Sequence, residues 1–310
     1  MTDERKKILG HMLACGTQIM WGATFVSTKV LVGVFAPVEV LTIRAILAFI
    51  TLSVCFPHRV RLREKRQELY FCGAALWGIV LYFMLENTAL TLTYASNVGI
   101  IVACAPFFVA VMVSLFYKNE RPGRNFYLGF VVALLGVGII SFNGSSSLHL
   151  NPAGDLLAFC AMICWGLYSV SLKKISEWNY PTAAVTRRIY GYAILLLIPI
   201  IGVQELGMEV PIWQKAAALV EPRLLLNFLF LGVGASALGF FFWNLSTKWI
   251  GAVKTSVYIY LSPLITVLLS VVVLHERMTG MTVLGGALII AGLLVSQKQG
   301  QRAGEAEAQM

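Results

Sequence analysis

The pattern W-G-x-x-x-V-S-x-K occurs twice in the chain, from Trp21 to Lys29 and from Trp165 to Lys173. The offset is 144 positions (165 − 21), and it persists: Pro37, Thr42 and Arg44 are matched by Pro181, Thr186 and Arg188. A repeat at nearly half the chain length is too long for a solenoid and indicates two copies of one domain-sized unit. Further on the offset widens. Asn87 and Pro106 correspond to Asn244 and Pro263 at 157, and Glu120-Arg121, Gly129 and Gly136 to Glu276-Arg277, Gly285 and Gly292 at 156. Extra residues in the second copy, before its third apolar span, explain the first shift.

What each copy contains follows from hydropathy. The chain is 58% apolar and 13% charged, with a mean hydropathy of +0.78. Soluble domains carry about 25% charged residues, so this apolar excess requires lipid. A membrane helix needs about 20 apolar residues. Ten stretches qualify, at about residues 8–32, 36–56, 69–90, 94–117, 126–142, 153–173, 181–202, 224–249, 252–274 and 281–296. The sequence therefore predicts an all-α polytopic membrane protein. Its first unit covers residues 8–142, its second 153–296, and 297–310 form a polar tail. No cleavable signal follows Arg5-Lys6-Lys7, because the next apolar run is too long for one.

The net charge of +9 reflects topology rather than nucleic-acid binding. Arg59, Arg61, Arg63, Lys65, Arg66, Lys118, Arg121 and Arg124 all fall in even-numbered connectors, whereas the odd ones hold only Lys215, Arg223 and Arg277. The positive-inside rule then places both termini in the cytoplasm. Two like-folded units of five spans each must insert with opposite orientation, so their two-fold axis lies in the membrane plane. Many secondary transporters share this plan, with solute bound near mid-membrane between the repeats.

The resemblance is carried by Ala252-Val253-Lys254-Thr255-Ser256 through Leu261-Ser262-Pro263, then Leu274-His275-Glu276-Arg277-Met278-Thr279 and Gly285 to Gly292. The first copy shows it in Ala95-Ser96-Asn97, Ala105-Pro106, Asn119-Glu120-Arg121-Pro122 and Gly129 to Gly136. In this order the segments resemble the ten-helix bacterial EamA branch of the drug/metabolite transporter superfamily. The resemblance implies two inverted five-helix repeats in the bacterial cytoplasmic membrane. It also implies alternating-access transport of small metabolites, often export of amino acids or related compounds.

Candidate site residues come from unusual positions. Trp21 and Trp165 sit near mid-span, although Trp prefers the headgroup level. They are read as paired walls of a substrate cavity, with helix packing as the alternative. Tyr82, Tyr168 and Tyr258 add aromatic surface. Pro106 and Pro263 fall mid-span as hinges or static kinks. Lys29, Arg44 and Glu86 lie in the same third of the membrane, where an unpaired charge is costly. Glu86 is expected to pair with Arg44 or Lys29 at an outer gate and is the candidate for coupling to protons; snorkelling is the alternative for Lys29. Arg188 is expected to meet a substrate carboxylate or Glu177. Asn87 and Asn244, like Thr42 and Thr186, are expected to form interhelical hydrogen bonds before they contact solute. The glycines of the fifth and tenth spans indicate close packing, as scaffold or dimer face; monomer and homodimer both remain open.

Other classes fit less well. There is no G-x-x-x-x-G-K-[ST] loop for ATP, so a gradient or uniport is implied. His11, His58, His149 and His275 lie near span ends without H-E-x-x-H, which argues against a metalloenzyme; no cofactor and no metal is expected. The six cysteines all lie in apolar stretches and predict no disulfide. A sugar or nucleotide-sugar carrier, or a sensor without flux, remains as the alternative reading.

Overall fold

In the computed structural model, residues 2–57, 60–92, 95–117, 121–142, 151–207, 210–265, 268 and 279–298 are described. The architecture is helical throughout these residues. The first half contains α1 (Asp3–Val32), α2 (Pro37–Cys55), α3 (Gln67–Leu92), α4 (Ala95–Ala103), α5 (Ala105–Phe116) and α6 (Arg124–Phe142). The second contains α7 (Pro152–Glu177), α8 (Thr182–Leu206), α9 (Pro222–Ile250), α10 (Ala252–Ser256) and α11 (Gly280–Gln297). Among the described residues, α2, α3, α7, α8, α9 and α11 are long and apolar enough to cross a membrane, while α5 and α6 supply shorter apolar helices.

Local chemistry sets the helix starts. Pro37 opens α2, and the Glu39 carboxylate accepts from the Ala36 backbone N–H at 2.5 Å, which satisfies a donor left orphaned by the helix. Asn151 caps α7 through the N–H groups of Ala153 and Gly154, with Pro152 in the first turn. Gly251, at φ 87°, turns the chain between α9 and α10, a conformation that glycine adopts without penalty.

Two departures from the expected spans are informative. The fourth is not one kinked helix. It breaks at Cys104, and Pro106 lies in the first turn of α5, where its missing N–H costs nothing. Its counterpart in the second half is interrupted as well, because a 3₁₀ segment, Val257–Tyr260, separates α10 from the helical residues that carry Pro263. The second departure is a pair of π-helical segments, Leu76–Leu81 in α3 and Phe230–Leu238 in α9. At the repeat offset of 157 the first falls on residues 233–238, so the duplicated helices widen at equivalent places.

The packing of α6 on α11 shows how the halves are related. Repeat equivalence pairs Gly129 with Gly285 and Gly136 with Gly292. In space the pairing is crossed. A Cβ built at Gly136 would lie 2.5 Å from the Gly285 carbonyl oxygen, and one at Gly292 would lie 2.6 Å from that of Gly129. Equivalent helices that meet antiparallel, with equivalent residues exchanged, are related by a two-fold axis perpendicular to them. Trp21 and Trp165, also equivalent, meet near that axis at 5.7 Å between ring centroids. The glycines after them obey the same relation: Gly166 packs on Phe108, and Gly22 on Ile265, 157 positions beyond Phe108. The halves are therefore inverted repeats.

At one end of the molecule the connectors are tied together. The Arg63 N–H donates to the Tyr180 hydroxyl at 3.1 Å, that hydroxyl donates to Gln67 Oε1 at 2.7 Å, and Lys248 Nζ donates to the Tyr180 carbonyl at 3.2 Å. At the other end, the long connector between α8 and α9 forms two short turns, Ile212–Lys215 and Ala216–Leu219. Lys215 Nζ reaches Glu39 at 2.8 Å, and Glu39 is fully buried.

Candidate functional site

A cavity of about 1050 Å³, counting its open mouth, runs along the first half's helices. Its floor is formed by Gln18, Trp21, Trp165 and Phe240; its walls by Arg44, Tyr82, Phe83, Glu86 and Asn87. The mouth lies between Val32, Pro37 and Leu90, where α1 and α3 end and α2 begins. Apolar lining with a few placed polar groups is the usual character of a small-molecule site.

The floor is an aromatic cluster. Trp21 packs 5.1 Å from both Phe240 and Trp243, and Trp165 packs 5.1 Å from both Tyr82 and Tyr168. Widened π-helical turns leave backbone carbonyls poorly bonded within the helix. Here side chains take them up. Trp21 Nε1 donates to the Ala235 carbonyl at 3.0 Å, and the Tyr190 hydroxyl to that of Ser236 at 3.2 Å.

The charged walls are arranged differently from expectation. Arg44 and Glu86 both line the cavity, at 7% and 8% exposure, yet they form no direct ion pair. Arg44 Nε donates to Ser236 Oγ at 2.8 Å, and its guanidinium lies 4.6 Å from the Phe83 ring centroid. Glu86 Oε1 accepts from the Tyr82 hydroxyl at 2.9 Å. Tyr82 is one helical turn before Glu86, so the carboxylate is held by its own helix rather than across the cavity. The Lys29 side chain lies outside the described residues, as do His58, His149, His275 and the tail from 299 onward.

On the far side of the tryptophans the equivalent polar groups bond to one another. Tyr168 donates to Asn244 Oδ1 at 2.5 Å, and Asn244 Nδ2 donates to Thr186 Oγ1 at 2.9 Å, with all three residues buried. The interhelical bond expected of Asn244 and Thr186 is thus present. Their equivalents behave otherwise: Asn87 faces the cavity, and Thr42 Oγ1 is buried with no hydrogen-bond partner among the described residues.

Arg188 is a correction. It neither lines the cavity nor pairs with Glu177, which binds Lys174 at 2.7 Å. It is ion-paired with Glu68, and Nη1 donates to the Val60 carbonyl at 3.2 Å. Tyr192 completes the group through Glu68 Oε2 at 2.5 Å. The sequence places Glu68 in a connector, but helix α3 begins at Gln67 and includes it. Tyr258 is a second correction. It packs away from the cavity and meets His11 Nδ1 at 2.9 Å. Tyr168 and Asn244 lie behind the floor, and Pro106 and Pro263 off the cavity lining.

Gln18 and Ser262 were not anticipated. Gln18 lies three positions before Trp21 on α1, and Ser262 Oγ donates to its Oε1 at 2.6 Å. The helical spacing to Trp21 was the available signal.

Comparison with known proteins adds the family. The model of the EamA-like transporter family matches residues 8–142 and 152–297. An uncharacterised transporter of Bacillus subtilis, YyaM, is 25% identical over 297 residues, 92% of each chain. A probable amino-acid metabolite efflux pump of Salmonella typhimurium is 23% identical over 285 residues, 92% of this chain and 93% of that one. A solved crystal structure superposes with a TM-score of 0.74 at 19% identity, covering 97% of this chain and 99% of the other, which shows the shared fold.

Proposed function

The chain belongs to the EamA-like transporter family, and on that premise we propose that it moves a small amphipathic metabolite across the bacterial cytoplasmic membrane by alternating access. The observation that carries this reading is the unequal state of equivalent residues. Asn244 and Thr186 are bonded and buried, whereas Asn87 stands in the cavity and Thr42 has no partner among the described residues. In an inverted repeat, one half open and the other closed is one of two mirrored states. In the opposite state Asn87 closes onto Thr42, and the bond from Asn244 to Thr186 is released. The new amide–hydroxyl bond offsets part of what is released, which leaves a difference small enough for a solute gradient to decide.

With both termini cytoplasmic, the mouth at Val32 and Pro37 faces outward. The bonded groups around Tyr168 and around Glu68 and Arg188 then seal the cytoplasmic side. The breaks before Pro106 and Pro263 are the hinges about which the fourth and ninth spans bend. Export of an amino acid or related compound is supported by the named activity of the Salmonella relative and by the aromatic floor. Counterflow into proteoliposomes against a panel of amino acids, sugars and apolar amines tests the function. Saturable exchange of an amino acid or kindred solute is expected; exchange of none of them overturns the proposal.

A further inference from the structure

Two polar groups at the cavity floor have no hydrogen-bond partner among the described residues. Trp165 Nε1 is buried and makes no hydrogen bond with the described residues, and the same holds for Gln18 Nε2. Their residues are 3% and 1% exposed, and both line the cavity. Burying a donor without an acceptor costs about 1–3 kcal/mol, so such atoms in a cavity wall point to what fills it. The contrast with Trp21 sharpens this. The equivalent indole gives its N–H to the Ala235 carbonyl, while that of Trp165 is left for something else. The other side of the Gln18 amide, Oε1, is engaged by Ser262, which leaves Nε2 as the group to be satisfied. Arg44 brings a guanidinium to the same cavity with only its Nε engaged in a hydrogen bond.

The geometry points to a carboxylate subsite at this floor. The indole N–H of Trp165 and the amide of Gln18, which lie just beneath the cavity surface, turn outward to donate to a carboxylate of the solute, Arg44 balances its charge, and the aromatic floor takes its apolar body. A carboxylate is favoured over a neutral acceptor because hydrogen bonds to an ionised oxygen are about twice as strong and because the cation is already in place. The inference rests on the transport reading for its biological meaning, but its test does not need flux.

The test is calorimetric titration of the purified full-length protein in detergent with 3-phenylpropanoate and with 3-phenylpropanol, its uncharged analogue. The carboxylate is expected to bind about tenfold more tightly or better. Trp165→Phe keeps an aromatic ring and removes the N–H; Gln18→Met keeps the length and removes the amide. Each is expected to cut the preference for carboxylate by about tenfold, equivalent to about 1.4 kcal/mol, with the alcohol changed less than about twofold. Because Trp165→Phe could loosen the aromatic cluster, Gln18→Met is read independently, and monodispersity is checked for both. Equal affinities in the unsubstituted protein, binding of neither probe, or an undiminished preference in a monodisperse Gln18→Met variant overturns the subsite. A retained preference without any counterflow would sink transport and leave the subsite standing; counterflow without the preference would do the reverse.

Discussion

Asn87 and Asn244 occupy equivalent places in sequence and unequal places in energy. Asn244 accepts from Tyr168 and donates to Thr186 in a buried setting. Replacing it with Ala strands the Tyr168 hydroxyl, while Thr186 keeps its bond to the Thr182 carbonyl, and should cost about 1–3 kcal/mol. Replacing the cavity-facing Asn87 with Ala should stay within about 0.5 kcal/mol. Denaturant or thermal unfolding of the two variants in one detergent compares them directly. Glu86 belongs to the same scale. If it carries a coupling proton, Glu86→Gln should lower gradient-driven accumulation about tenfold and spare counterflow. Unchanged accumulation at every proton gradient would remove the role. At this scale the sequence was partly legible. The tryptophans announced themselves because a mid-membrane indole is rare and this one is duplicated. Partners across the fold did not: Ser236 for Arg44 and Glu68 for Arg188 lie 192 and 120 positions away, and periodicity contains no such pairing.

The helices divide between those the sequence drew and those it blurred. Apolar length located the six long apolar helices, and the glycines of α6 and α11 correctly foretold close packing. Gly136→Leu should separate these helices, because its Cβ would meet the Gly285 carbonyl and the Ile289 backbone. Overpacking of this kind costs about 1–3 kcal/mol. Gly138→Leu, with nothing within 4 Å of its Cβ, should be tolerated. The melting temperatures of the two variants report the difference. The π-helical segments left no trace in the sequence, since the extra residue per turn changes neither hydropathy nor composition. Pro106 did leave a trace, but a proline reads alike as a kink within one helix and as the first turn of a new one.

For the whole molecule, the duplication pointed to the inverted architecture before any coordinate, because the five spans expected per copy, an odd number, leave no other arrangement. What the duplication concealed was the state, since identical motifs imply equal halves and these halves are caught unequal. Single cysteines in a cysteine-free background test that state. At Thr28 and Leu90, which line the cavity, they should react with a membrane-impermeant thiol reagent added outside. At the equivalent Leu172 and Thr247, 3% and 5% exposed, they should be at least about tenfold slower from either side. Equal labelling at all four positions would contradict a one-sided opening.

The tie between Lys215 and the buried Glu39 exists in one copy only, because Ala183 stands where the second copy would need the carboxylate. Perfect twins would idle with half their number facing each compartment. On the proposed alternating-access cycle, a cross-brace on a single side would make the two orientations unequal at rest, giving the empty carrier a home position and placing the effort of leaving it on one leg.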